Sequence, residues 1–457
     1  MNHENQWSKD LLGAAVAAQA LPRARLSGCV ESIRHNLISI NGLGPWAQLG
    51  GRVSVGGGAG MRAVTAEIVG IRGGIAEAMP LGAMAGLGTG LPAELTGAGP
   101  SLAVGNTWLG RVIDPLGQPL DGRGPLRPGP RPLPLHAAAP GAGTRARLGP
   151  RIDLGVRALD LFATCRRGQR LGLFAASGVG KSTLLSMLAR GAACDVVVLA
   201  LVGERGRELR EFVEDDLGPE GMARSVVVCA TSDASPLLRR DAAFAAMAVA
   251  EHFAEQGGHV LLLMDSVTRF AMALREIGLA AGEPPATRGY TPSVFAALPR
   301  LLERAGPRAE GNRGMITGLF TVLVEGDDHD EPVADAVRGI LDGHVVLDRR
   351  IGEAGRYPAI DVARSLSRTV PGCLLPGEAA LARRARAVLA LAADMADLVR
   401  LGAYRPGTDP AVDEALRLAP RIEAVLAQGR GEDRCGVADT FARLAAALEE
   451  ESRDAGA

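Results

Sequence analysis

Fourteen residues constrain this chain more than any others: RLGLFAASGVGKST at positions 170–183. An apolar run of strand length feeds a glycine-rich turn, and the turn opens a stretch suited to a helix. That order aims backbone N–H groups, at the positive end of a helix, towards one point and makes a cradle for phosphate oxygens. Ala176, Ser177, Gly178, Val179, Gly180, Lys181, Ser182 and Thr183 are the candidate nucleotide-binding residues. Gly178 and Gly180 supply the tight backbone. Ala175 stands where the common pattern has glycine, which bears only on the initial turn. Lys181 would neutralise the β- and γ-phosphates, and the Ser182 hydroxyl would ligate Mg²⁺. Of 50 basic residues only Lys9 and Lys181 are lysine. A compact ammonium reaches between phosphates where a planar guanidinium cannot, so the lysine at 181 has a chemical reason.

Two further strings fit the same chemistry. HVLLLMDS at 259–266 reads as a buried strand ending in Asp265, 84 residues beyond Lys181. A carboxylate at that strand end faces the phosphate loop and can hold Mg²⁺ through water. VGERGRE at 202–208 follows the apolar run DVVVLAL. Hydrolysis needs a carboxylate beside the γ-phosphate to orient and polarise water, and Glu204 is the candidate base. Spacing alone leaves open that Glu204 and Arg205 are a surface ion pair opening a helix.

The rest of the chain divides by texture. A length of 457 residues suggests two or three domains. Residues 1–24 include Leu11, Leu12, Ala15, Val16 and Ala20 at helical spacing, an amphipathic helix too small to bury itself. Residues 25–95 carry short β-branched stretches separated by glycine, the pattern of a small closed barrel of about six strands. Residues 96–144 are rich in Pro and Gly and read as an extended connector. From 145 to 375, unalternating apolar runs (RLGLFA, DVVVLALV, RSVVVCATS, HVLLLMDS) alternate with helical stretches, so a mostly parallel sheet covered on both faces is expected. Beyond 376, Leu381, Ala385, Val388, Ala392, Met395 and Val399 form a helical stripe that opens a helical C-terminal domain.

Composition excludes several classes. The formal net charge is −1, with no basic arm, so nothing points to nucleic acid as a partner. No apolar run reaches about 18 residues, and the N-terminal stretch lacks the basic start and apolar core of a secretory signal. The six cysteines (Cys29, Cys165, Cys194, Cys229, Cys373, Cys435) show no CxxC spacing and read as reduced, in a cytoplasmic protein.

Longer strings go beyond a phosphate loop. LGRVIDPLGQPLDGRGPL (109–126), LLLMDSVTRFAMALREIGLAAGEPP (261–285), RGYTPSVFAALPRLLERAG (288–306) and EPVADAVRGILDGHVVLDRR (331–350) resemble the flagellar and type III secretion export ATPases, relatives of the catalytic subunit of rotary ATP synthases. The resemblance covers about 109–373 and looks more like the flagellar branch than the virulence-secretion branch. It implies a RecA-like α/β core between an N-terminal β-barrel and a C-terminal helical domain. It also implies Mg-dependent ATP hydrolysis at the subunit interfaces of a homohexamer. By the same resemblance Glu204 is the water-activating base, and Arg205 and Glu208 support the γ-phosphate and water. Arg368 of SLSRTV would reach into the neighbouring subunit's site, and Tyr357 of GRYPAID would stack on adenine. Tyr290 and Arg269 also fall on family site positions. The implied partners are a regulatory stator-like protein at the N-terminal helix, and an export gate with chaperone–substrate complexes at the C-terminal domain. The implied place is the cytoplasmic face of the inner-membrane export apparatus, by peripheral association.

Two other classes share parts of this pattern. A non-catalytic nucleotide-binding subunit of a rotary motor would keep the phosphate loop but replace Glu204 with a neutral residue. A ring-shaped RNA helicase would carry stacked aromatics on its barrel, where Trp46 is the only aromatic between Leu26 and Leu95.

Overall fold

The computed structural model describes residues 25–57, 62–97, 99–324, 331–432 and 435–449; the helix expected over 1–24 lies outside them. The chain forms two compact units, one up to Gly99 and one from Pro100.

The first unit is a closed antiparallel barrel. Its strands are β1 (Ser27–Arg34), β2 (Leu37–Asn41), β3 (Arg52–Val55), β4 (Val64–Arg72), β5 (Ile75–Pro80) and β6 (Pro92–Gly97), in the order β1-β2-β5-β4-β3-β6. Alternation fills the inside: Val30, Ile38, Ile40, Val53, Val55 and Ile68 are buried together. Closure leaves no free edge to pair with another chain. Trp46 is 60% exposed, and no other aromatic lies between Leu26 and Leu95.

The second unit is built on one large sheet. Along it run β14 (Ile360–Ser367), β13 (Gly343–Leu347), β8 (Arg170–Ala175), β12 (Met315–Leu323), β11 (His259–Asp265), β9 (Val196–Glu204), β10 (Ser225–Thr231) and β7 (Arg111–Ile113). All these neighbours are parallel except β13 and β14. Every residue of β11 is buried, and apolar clusters cover both faces of the sheet. Leu261, Leu262 and Leu263 therefore contribute to two opposed cores in turn, and truncating any of them would cost about 2–5 kcal/mol. Helix α3 (Pro236–Glu255) lies in the second cluster. Its alanines, Ala242 to Ala250 among them, let its backbone approach the sheet closely.

Two stretches differ from expectation. The Pro/Gly-rich region expected as a connector supplies β7, which pairs with β10 as the last strand of the core sheet. A half-buried ion pair of Arg111 with Asp121 (2.6 Å) and a Trp108 indole N–H donated to the Arg127 carbonyl (2.9 Å) hold it there. The apolar stripe expected along 381–399 lies on α5 (Pro376–Arg400), but only its first half is covered. Ala382, Ala385 and Val388 are buried, whereas Leu398 and Val399 are 44% and 42% exposed. Helices α6 (Pro410–Leu426) and α7 (Val437–Glu449) pack on the early turns and stop short of the tip.

Candidate active site

Every parallel strand delivers its last residue to the same edge of the sheet, and the site sits there. Strand β8 ends at Ala175, whose carbonyl accepts the N–H of Val324. Ala175 is thus still a ladder residue, and a methyl group in place of a hydrogen meets no turn. The turn proper comes later: Gly178 and Gly180 have φ of +81° and +90°, a region that disfavours any residue with a Cβ. Helix α1 (Lys181–Gly191) opens directly from Gly180.

The cleft above this loop has a volume of about 430 Å³. Its lining includes Ala176, Ser177, Gly178, Gly180, Lys181, Ser182 and Thr183 from the loop. Val179 is buried beneath it. Across the cleft stand Glu204, Arg205, Glu208, Ser232 and Arg269. The Lys181 ammonium donates to Asp265 Oδ1 and lies 3.6 Å from Glu204 Oε1. Asp265, 3% exposed, is held in place by the Thr321 hydroxyl at 2.7 Å. Glu204 ends β9 one residue after Gly203, where φ is +71° and the ladder with β10 shifts register. This irregularity turns the Glu204 carboxylate into the cleft. Burial, and secondarily the Asp265 carboxylate, push the Glu204 carboxyl above its ordinary range, with Lys181 opposing. A glutamate displaced in this direction is a better proton acceptor once ionised.

Arg205 is paired at 3.1 Å with Glu208, not with Glu204, on the exposed rim of α2 (Gly206–Glu211). Arg269, on α4 (Val267–Ala280), lies against Gly203, and its Nε is buried without a hydrogen-bond partner. A second cavity of about 150 Å³ adjoins the first, where Ser182, Glu204, Glu208 and Asp265 meet Asp216.

The remaining candidates separate by sheet geometry. Tyr357 precedes β14, whose first residue Ile360 pairs with Leu347 at the end of β13, so Tyr357 sits at the phosphate-loop edge. A Cβ built on Gly180 would come 3.4 Å from its ring, which is 48% exposed. Arg368 follows the other end of β14, where Ser367 pairs with Gly343 at the start of β13. It is exposed at the opposite edge of the sheet and does not line its own chain's cleft. Tyr290 is 5% exposed and packs against Phe295 with Arg275 over its ring; it too lies off the cleft lining.

Sequence reasoning missed Thr321, Ser232 and Arg349, whose guanidinium donates to the Ser177 carbonyl at 3.1 Å. A buried threonine inside a strand, a loop serine and one arginine among many carry no local signal.

A phosphate loop, an acidic strand end and a strand-terminal glutamate converging at the carboxyl edge of a parallel sheet define a nucleoside triphosphatase. The ATP synthase alpha/beta family nucleotide-binding domain matches residues 155–367, and the type III secretion EscN ATPase C-terminal domain matches 376–446. A flagellum-specific ATP synthase of Caulobacter vibrioides is 51% identical over 95% of this chain and 98% of its own. A type 3 secretion system ATPase of Xanthomonas euvesicatoria is 50% identical over 79% of this chain and 80% of its own. The assembled ATPase EscN of enteropathogenic E. coli superposes with a TM-score of 0.86 at 38% identity, over 92% of this chain and all of that one. EscN in complex with its central stalk EscO gives a TM-score of 0.83. The chain belongs to the family of flagellum-specific ATP synthases and type III secretion ATPases, and it is an ATPase. Among the described residues no helix is long and apolar enough to cross a membrane.

Proposed function

We propose that this ATPase hydrolyses MgATP at the interfaces of a homohexameric ring and that the hydrolysis energises flagellar type III protein export. One observation carries the reading: Lys181, Glu204 and Asp265 meet in one cleft, while Arg368 stands at the other edge of the sheet. An arginine so placed can serve hydrolysis only in a neighbouring subunit's cleft.

The donor set suits Mg²⁺, a hard cation that takes oxygen ligands, keeps several waters and needs few protein groups. The Ser182 hydroxyl and, through water, the Asp265 carboxylate would hold it, and bound there it supplies charge neutralisation between the phosphates. Lys181 binds the β- and γ-phosphates, and the backbone N–H groups of 176–183 cradle them. Glu204 orients and polarises the attacking water, with Arg205, Glu208 and Arg269 around it. Tyr357 offers an exposed ring to the base, and Tyr290 supports the fold beside the site. Arg368 of the adjacent subunit stabilises charge on the transferring phosphoryl group, an effect worth about 10³–10⁵ in rate.

The helical C-terminal domain would receive the export gate and chaperone–substrate complexes, and its tip offers Leu398, Val399 and Leu401 (80% exposed) as an apolar surface. Residues 1–24 would bind a stator-like regulator, with the ring attached peripherally at the cytoplasmic face of the export apparatus. The relative solved with a central stalk supports a stalk partner here.

Glu204→Gln keeps shape and removes the base. Steady-state ATPase activity should fall about 10²–10⁴-fold while a fluorescent ATP analogue still binds. An active Glu204→Gln enzyme, or a wild type that binds ATP and never hydrolyses it, would transfer the chain to the non-catalytic class.

A further inference from the structure

The loop after α6 reaches all three segments that border the cleft, though none of its described residues lines it. The N–H of Gln428 donates to the Tyr357 carbonyl at 2.8 Å, so the loop holds the base platform from behind. The Gln428 side chain is 5% exposed and pinned at both ends. Its Oε1 accepts the N–H of Arg157 at 2.9 Å, and its Nε2 donates to the Gly155 carbonyl at 3.0 Å. Two residues on, the Arg430 carbonyl accepts from Arg190 at 2.7 Å, and Arg190 is on the phosphate-loop helix α1. The Arg430 guanidinium pairs with Asp216 and donates to the Asp215 carbonyl. Asp216 shares the 150 Å³ cavity with Glu204, Glu208 and Ser182.

A second tie runs in parallel to the first. Glu423 of α6 pairs with Arg356 at 2.5 Å, and Arg356 donates to the carbonyls of Pro358 (3.1 Å) and Ile360 (2.8 Å), on either side of the turn that follows Tyr357. Beside the loop, a surface pocket of about 200 Å³ is lined by Met187, Arg190, Glu220 and Arg430.

We propose that Gln428, Glu423 and Arg430 are positioning residues that connect the C-terminal helices to two separate properties of the nucleotide cleft. Gln428 and Glu423 set the Tyr357 platform and hence nucleotide affinity. Arg430 sets the segment bearing Glu208 and Asp216 and hence the hydrolytic step. A load applied to the C-terminal helices then acts on binding and on hydrolysis through different side chains. The inference rests on the cleft being an ATPase site.

The test is a KM-against-kcat comparison on the full-length protein at one fixed concentration, with Gln428→Met, Glu423→Gln and Arg430→Ala beside wild type and Glu204→Gln. Gln428→Met and Glu423→Gln should raise KM for MgATP about fivefold, one hydrogen bond's worth, with kcat within about twofold. Arg430→Ala should lower kcat by a similar factor and leave KM within about twofold. Should Gln428→Met fail to fold, Glu423→Gln, whose carboxylate is 43% exposed, decides the base-side claim. Unchanged kinetics in the folded variants, or KM and kcat moving together in every one, would overturn the division of labour. An inactive wild type would sink the ATPase reading instead, and so the two failures are distinct.

Discussion

Thr321 has no reactive chemistry of its own, yet it decides where the Asp265 carboxylate points. Its hydroxyl lies 2.7 Å from Oδ1, the same oxygen that meets Lys181, and 3.2 Å from the Met264 carbonyl. The shorter contact is the charge-assisted one and is the stronger. Thr321→Val keeps shape and removes the donor, leaving one face of a buried carboxylate unsatisfied. A hydrogen bond to a charged group is worth about 1.5–3 kcal/mol, so kcat/KM for MgATP should fall about tenfold or more. Steady-state kinetics of a folded Thr321→Val protein check this, and wild-type kinetics would mean that Lys181 alone orients Asp265. The same reasoning explains why a lysine at 181 could be found from the sequence and Thr321 could not. Lys181 sits in a loop whose spacing is itself a signal, while Thr321 acquires its role from a neighbouring strand 56 residues away.

At the level of elements, short turns do much of the positioning. The chain enters the core through Leu154 and Gly155, whose N–H groups donate to the Asp160 carboxyl at 2.9 and 3.1 Å from within the following helix, Arg157–Phe162. Gly155 must be glycine: its φ is +74°, and a Cβ would come 2.9 Å from the Gly191 Cα. Asp160 is wholly buried, and burial pushes its carboxyl from 3.8 up to about 8. The folded state therefore holds a proton that the unfolded state has lost between these values. Its stabilising share is complete below about pH 4 and is lost as pH rises through about 8. Asp160→Asn keeps a neutral acceptor at every pH, so its stability relative to wild type should improve steadily from pH 5 to about pH 8 and level off above it. Urea midpoints across that range measure it, and a difference independent of pH would show a carboxyl already ionised at pH 5. The helical stripe of α5 teaches a related lesson. Its period was legible, but how far a partner covers it depends on where α6 and α7 end.

For the whole molecule, the proposed function makes the two edges of the sheet a matter of assembly. Glu204 and Lys181 stand at one edge and Arg368 at the other, so if Arg368 acts in a neighbour's cleft as proposed, an isolated chain would hold an incomplete site. ATPase activity should rise more than linearly with protein concentration, so that specific activity climbs until rings are complete. Arg368→Ala and Lys181→Ala proteins should each be inactive alone. Mixed, they should regain part of the activity, because an intact loop from one then faces an intact arginine from the other. Activity that does not return on mixing, with ring formation verified by light scattering, would place Arg368 outside the reaction.

What the sequence determined by itself was whatever depends on neighbours along the chain. The phosphate loop, the buried strands, the barrel's alternation and the Asp265 strand end are all local in this sense. Their signals are a period, a spacing or an obligatory glycine, and these survive without knowledge of the fold. The role of Glu204 was open on spacing alone, because a glutamate after a strand is common and only Gly203 and the register shift aim it inward. Tertiary structure alone decided that the Pro-rich stretch would give the sheet its last strand, that Tyr290 would be buried while Tyr357 stays exposed, and that Arg430 would meet Asp216. Each of those outcomes joins residues far apart in sequence. Such contacts depend on which elements pack together, and no local pattern encodes that.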